Sequence, residues 1–357
     1  MVKRMSRLWY TRCPAPTPFG IAAQKGWLDE EFAADGIDVK ALQDADDVAI
    51  RRSHFTHTQP WSFRQGGNIP ALWARSQGSD TRLIGLSWVD EFQALITLDR
   101  QLDASADALT GRRFGLPLNT RASVVDFHRA TALRGFGSLL GALGGALADV
   151  ELVDLAHTPR GLEDAKSAAD APLASWLDAQ RSHEFAREAA ALLRGEADVV
   201  FVKGATGLDI ANLLNAKILV EIGAQPNRLL HANNGTPRPL TVDAQLLRER
   251  PDLVERVLAR TLDTGDWVQR HPGEVAQYVA RETRSAEHWV QRAYPGGLHR
   301  QLQIGLDPQA LAALAGFKQF LFESGFIPAD FDFDAWIDPA PLRAALARRE
   351  AAEPAAL

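Results

Sequence analysis

A chain of 357 residues, 46% of them hydrophobic and 24% charged, is long enough to build two lobes around separate cores. Its net charge of -6 excludes the basic field that nucleic acid or an anionic lipid surface would need. No run approaches the roughly 20 apolar residues of a membrane span, and a single cysteine excludes an intrachain disulfide.

The opening MVKRMSRLWYTRCPAP carries basic residues with no apolar stretch behind them, which sets the expectation of a cytoplasmic chain whose cysteine stays a thiol. RLWYTRC reads as a short buried strand, stopped after Cys13 by Pro14, Pro16 and Pro18. Thr17 is placed to cap a helix with Pro18 at its first position, and Phe19, Ala22 and Ala23 follow at helical spacing up to Gly26. The turn Asp35-Gly36 then leads into IDVKAL, which alternates as a second strand. The same rhythm returns in TRLIGLSW, FQALITL, RRFGLPL, VELVDL, ADVVFV and AKILVEI, so the fold class is α/β.

A short helix with Leu109 between FQALITL and RRFGLPL reads as a crossover, with a return near Gln225 to Arg228. This predicts lobe one over residues 1–107 plus 226–357 and lobe two over residues 108–225. The Ala-, Gly- and Leu-rich stretch from Ala132 to Val150, interrupted by Arg134, reads as helix packed at the surface. Long amphipathic helices are expected from Leu240 to Pro272, returning the chain to lobe one.

Three polar groups gather in the first lobe: Cys13 at a strand end, the histidines of SHFTHTQP, and RQGGNIP. A cysteine reacts as thiolate, with an ordinary pKa near ~8.5, so it needs a cationic or hydrogen-bonding neighbour. His54 or His57 can supply one, although either alone reads as a loop residue and Cys13 alone as a small buried hydrophobe. The guanidinium fork of Arg64 suits a two-oxygen anion such as carboxylate, sulfinate or sulfonate, and Gly66 and Gly67 leave backbone N–H groups open to it. In LPLNTRAS, Thr120 and Ser123 are candidates to cap a helix starting near Val124. Phe55, Trp61, Trp88 and Phe136 fall near loop ends where an aryl group can stack, against the commoner role of aromatics in the core. No metal-ligand spacing, P-loop or dinucleotide fingerprint is present, so neither metal nor cofactor is expected.

Taken jointly, three stretches resemble the 2'-hydroxybiphenyl-2-sulfinate desulfinase family of dibenzothiophene desulfurisation. They are Y-x-x-C-P-x-P from Tyr10 to Pro16, H-F-T-x-x-Q-P from His54 to Pro60, and R-x-G-G-x-I-P from Arg64 to Pro70. GWLDEEFAADGIDV, from Gly26 to Val39, is similar to the first helix and second strand of solute-binding proteins. The resemblance implies a two-lobed, periplasmic-binding-protein-like (type II) fold with the active site in the inter-lobe cleft. It also implies that the chain takes a small aryl sulfinate or related anion and hydrolyses its carbon–sulfur bond to the arene and sulfite without metal or cofactor; apart from the resemblance, a monomer is expected. Cys13, His54 and Arg64 would be catalytic, with Gly66, Gly67, Phe55, Trp61 and Phe136 binding substrate. Cys13 can act as nucleophile on sulfur or as proton donor to the ring carbon, and both roles stay open. Arg12, His57, Thr58 and Gln65 depart from the family's pattern, which leaves the aryl group unspecified. From another class, a cytoplasmic binding protein for a sulfonate or small anion fits the same fold without catalysis. A thiamin-pyrimidine synthase shares it too, but its cysteine-rich signature is missing here.

Overall fold

The first strand, β1 (Arg7–Arg12), forms where bulky residues alternate, and the prolines after Cys13 deny it a continuing ladder. Thr17 then caps the helix Pro18–Gln24, its hydroxyl accepting the Gly20 N–H at 2.9 Å. The structure is a computed structural model that describes residues 5–120, 124–157 and 184–352. The remaining strands are β2 (Asp38–Ala41), β3 (Ser62–Gln65), β4 (Thr81–Ser87), β5 (Gln93–Thr97), β6 (Arg113–Asn119), β7 (Glu151–His157), β8 (Val199–Lys203), β9 (Lys217–Glu221) and β10 (Arg238–Asp243).

They make two five-stranded sheets, ordered β2-β1-β3-β10-β4 and β7-β6-β8-β5-β9. β1 runs parallel to β2 and β3, and β6 runs parallel to β7 and β8. The strand that enters each sheet from the other lobe is antiparallel to both neighbours: β5 lies between β8 and β9, and β10 between β3 and β4. Two crossovers therefore join the lobes, at residues 88–92 and 222–237, and the architecture is the two-lobed α/β arrangement expected from the sequence. No described helix is long and apolar enough to cross a membrane.

Three sequence expectations change. FQALITL, assigned to lobe one with a boundary at residue 107, is β5 of the second sheet, because its ladder partners are β8 and β9, far along the chain. An apolar run fully buried on both faces does not announce which sheet it joins. LTVD, expected to open a helix, belongs to β10; Asp243 then caps the helix Ala244–Glu249 by accepting the N–H groups of Gln245 and Leu246. The C-terminal part is also shared between lobes. Leu253, Val257 and Leu258 of the helix Pro251–Arg270 pack with Leu8 and Phe63, whereas Val275, Val279 and Val290 pack with Val200 and Val202 of the second lobe.

The helix Phe127–Ala142 presses its inner face on the second sheet. It starts three residues after Val124 and is capped by Asp126, which accepts the Arg129 N–H, so Thr120 is not its cap; Ser123 lies outside the described residues. A Cβ at Gly135 of this helix would stand 2.3 Å from the ring of Phe201, itself wedged against Phe136. Gly135→Ala should cost about 1–3 kcal/mol through overpacking. The check is urea unfolding at unchanged m value; an unshifted midpoint would mean that the Phe201 ring can step aside.

Candidate active site

The parallel pairing of β1 with β3 sets Thr11 beside Arg64 and Arg12 beside Gln65. One residue further on, Cys13 meets Gly66. A Cβ on Gly66 would stand 2.3 Å from both Cβ and Sγ of Cys13, so the thiol occupies the space that any other side chain at position 66 would need. Gly67 in turn opens the helix Asn68–Ser76, and a Cβ there would fall 2.6 Å from Oδ1 of Asn234. The glycine pair is required by close approach on two sides.

Arg64 is 3% exposed, and Nε, Nη1 and Nη2 have no hydrogen-bond partner among the described residues. Burial lowers its pKa from the usual arginine value, and the neighbouring Cys13 pulls it back up. The guanidinium remains charged at neutral pH because arginine starts so far above it. A buried cation of this kind is costly unless an anion completes it.

SHFTHTQP is helical at its start, not a loop. His54 sits in the helix Val48–Thr56, and its Nδ1 lies 3.1 Å from Nε2 of Gln43. An amide nitrogen only donates, so Nδ1 accepts and the neutral ring carries its proton on Nε2. His57 closes that helix in the left-handed region, at φ 51°, with its N–H on the Ser53 carbonyl. The residue is half-buried, with its Nε2 shielded from solvent and unpartnered among the described residues.

Cys13, His54, Phe55, Arg64 and Gly67 all line one cleft between the lobes. Gly66 does not line it but packs under the thiol. Phe55 stacks on Phe127, with ring centroids 6.4 Å apart. Two expected binding residues lie elsewhere. Trp61, at φ 59°, packs against the first-lobe core and gives its backbone N–H to Asp243, because the left-handed turn swings it off the cleft. Phe136 is wholly buried between Phe114 and Phe201, on the inner face of its helix. Trp88 is also buried, its indole N–H donated to Asp90 at 2.6 Å.

Sequence reasoning missed the charges at the crossovers. Glu91, in the first, binds Lys203 Nζ at 2.6 Å and lies 3.6 Å from Nη2 of Arg238. These three also line the cleft, as does Phe127. Nothing local marks them as a group: Glu91 follows Asp90 in the first crossover, Lys203 ends the apolar run of β8, and Arg238 lies between two prolines at the start of β10. No group of three or more His, Cys, Asp or Glu side chains that could hold a metal occurs among the described residues.

No protein-family model matches the chain. It is 28% identical to the 2'-hydroxybiphenyl-2-sulfinate desulfinase of Rhodococcus erythropolis, over 96% of this chain and 94% of that protein. The fold is similar to that of the desulfurization enzyme DszB crystallised with biphenyl-2-sulfinic acid, at a TM-score of 0.73 and 24% identity, over 96% of this chain and 99% of that one. It is similar also to the periplasmic sulfonate-binding protein SsuA of Methylobacillus flagellatus, at a TM-score of 0.69 and 15% identity, over 98% and 96% of the two chains. The fold is thus periplasmic-binding-protein-like, and the motif resemblance extends along nearly the whole chain.

His57 supplies a test of the site's electrostatics. Burial first, then the charge of Arg64, then His54 hold its pKa well below the ordinary 6.5. The unfolded chain therefore takes a proton as pH falls through 6.5 while the folded chain does not, so this contribution is fully present above 6.5 and is lost below it. Unfolding free energy should fall by up to about 1.4 kcal/mol per pH unit more steeply in the wild type than in His57→Gln. Urea titrations at several pH values read the two slopes, and parallel slopes below pH 6.5 would show that His57 takes up a proton in the folded chain as readily as in the unfolded one.

Proposed function

We propose that this chain hydrolyses the carbon–sulfur bond of an aryl sulfinate, ArSO2⁻ + H2O giving ArH + HSO3⁻, with Cys13 as the reacting side chain. One observation carries the reading: a buried guanidinium with all three nitrogens unpartnered stands beside the chain's one thiol, in a cleft with a stacked phenylalanine pair. The fork of Arg64 takes a two-oxygen anion bidentately. That the relative sharing 28% identity is named as a sulfinate desulfinase supports sulfinate over carboxylate.

Cys13 donates its proton to the ring carbon that bears sulfur. The carbon–sulfur bond then breaks with its electron pair returning to the ring, and sulfur dioxide leaves. Water adds to sulfur dioxide to give bisulfite, releasing the proton that restores the thiol. Two features favour donation over attack on sulfur. A thiolate approaching an anionic sulfinate meets like charge, and His54, with its proton on Nε2, is set to donate and not to take the thiol proton. The thiolate left after donation is stabilised by Arg64.

Similarity to a sulfonate-binding protein supports a second reading, capture of a sulfonate without turnover. Sulfite release from biphenyl-2-sulfinate separates the two. Cys13→Ser should bind the sulfinate but lower sulfite release by about 10²–10⁴-fold, the range for loss of a positioned proton donor; full activity in that variant would end the assignment, and a covalent Cys13–SO2 adduct on rapid quenching would replace donation by nucleophilic attack. Arg64→Lys keeps the charge and loses the fork, and should raise Kd about tenfold or more in calorimetry. Unchanged affinity would mean that the anion sits elsewhere.

A further inference from the structure

Two polar side chains meet the glycine pair. Arg64 Nη2 is 3.8 Å from where a Cβ on Gly66 would stand, and Oδ1 and Nδ2 of Asn234 are 2.6 and 3.5 Å from where one on Gly67 would stand. Cys13, Arg64, Gly67 and Asn234 line the same cleft. The backbone of Asn234, in the second crossover, is clamped: its N–H is donated to Asn233 Oδ1 at 2.8 Å, and its carbonyl accepts Lys203 Nζ at 2.8 Å. Asn233, 1% exposed, is tied in turn through Nδ2 to Gln93 Oε1 at 3.0 Å and to the Thr131 carbonyl at 3.1 Å. The side-chain amide of Asn234 is oriented as well. Its Oδ1 accepts the N–H of Ile69, in the first turn of the helix Asn68–Ser76, at 3.4 Å. A backbone N–H only donates, so oxygen is the atom that faces it. The other branch, Nδ2, carries two N–H groups that make no hydrogen bond to a described residue.

We infer that Asn234 is a further substrate-binding residue, whose Nδ2 donates a hydrogen bond to one sulfinate oxygen beside Gly67 while the guanidinium of Arg64 holds the anion from β3. The inference rests on the sulfinate reading given above and adds to that site a neutral donor carried by the second crossover.

Both the anion and the amide need the contact. A two-oxygen anion offers more lone pairs than one guanidinium fork fills, and each oxygen left bare on burial loses the hydrogen bonds that water gave it. Charge favours a neutral donor for the remainder. Histidines aside, the cleft carries three cations, Arg64, Lys203 and Arg238, and two carboxylates, Glu91 and Glu184, so one sulfinate offsets the surplus of one positive charge. A further cation at position 234 would restore that surplus, whereas an amide fills a lone pair and leaves the balance intact. The bonds at Asn233, Lys203 and Ile69 fix the amide before the ligand arrives, so little side-chain freedom is lost on binding.

Binding of biphenyl-2-sulfinate and of biphenyl, the arene without the anion, to the Cys13→Ser protein and to its Asn234→Ala and Asn234→Asp derivatives tests this. Asn234→Ala should raise the sulfinate Kd by about 10- to 100-fold, the size of one hydrogen bond to a charged group. Asn234→Asp keeps the acceptor for Ile69 and sets a carboxylate oxygen against the anion, so at neutral pH its Kd should rise further still. Biphenyl affinity should stay unchanged in both, because the arene makes no use of Nδ2. Unchanged sulfinate affinity in either variant overturns the inference, as does an equal weakening of sulfinate and biphenyl, which would make Asn234 only a cap for the helix beside Gly67. Should neither variant fold, the side-chain amide signals of Asn234 in the Cys13→Ser protein, assigned through their bonded carbons, decide: they should shift on adding the sulfinate and not on adding biphenyl, and signals that the sulfinate leaves unmoved overturn the inference. Each of these failures leaves the sulfinate reading in place, whereas a Cys13→Ser protein that binds no sulfinate overturns both.

Discussion

The buried charge of Arg64 is the constraint on which the rest of the first lobe's cleft depends. Its three nitrogens are unpartnered among the described residues, so the folded chain holds a cation that only a bound anion would complete. That cost is sustained by rigid surroundings. Arg64 lies in β3, between β1 and β10, and each neighbouring ladder fixes its position along the sheet. The same register carries Cys13 one residue past the end of β1 to the one place where Gly66 leaves room for a thiol. Guanidinium and thiol are therefore placed by backbone pairing and not by mobile loops, which is what a reaction sensitive to small displacements requires.

The two crossovers extend this logic across the cleft. Each sends one antiparallel strand into the opposite sheet, so the lobes are joined through the middle of their sheets and not at their edges. Glu91 and the Asn233–Pro237 turn sit in those joints. Asn68 donates to the Asn233 and Pro237 carbonyls at 2.8 and 3.0 Å, which binds the helix beginning next to Gly67 to the second crossover. Lys203 of the second lobe reaches the same turn. Any relative motion of the lobes acts on the Glu91–Lys203 pair and on the start of the helix beside Gly67 together, because both hang from the same short segments.

A fold used widely for capturing anions needs little alteration to act on them. In this chain the cleft holds a buried arginine, Arg64, and Gly67. What is added is one thiol against Gly66, with a histidine whose protonated nitrogen is fixed by Gln43. Buried from water, the Arg64 guanidinium exerts a larger electrostatic effect than it would at the surface.

What the sequence by itself determined is local or carried by joint spacing. Prolines after Cys13 end β1, Thr17 and Pro18 start the next helix, and apolar runs mark most of the strands, because these features act through neighbours a few residues away. The spacing of Cys13, His54 and Arg64 identified three residues that one cleft does bring together. Only the tertiary structure decided which sheet β5 joins, that LTVD pairs between β3 and β4, and that Trp61 and Phe136 face cores while Phe127 faces the cleft. It alone also gathers Glu91, Lys203 and Arg238 around Gly235. The reason is physical: ladder partners and buried ion pairs between residues far apart in the chain are chosen by the packing of whole lobes, and an isolated charge or apolar run carries no local record of the partner it will meet.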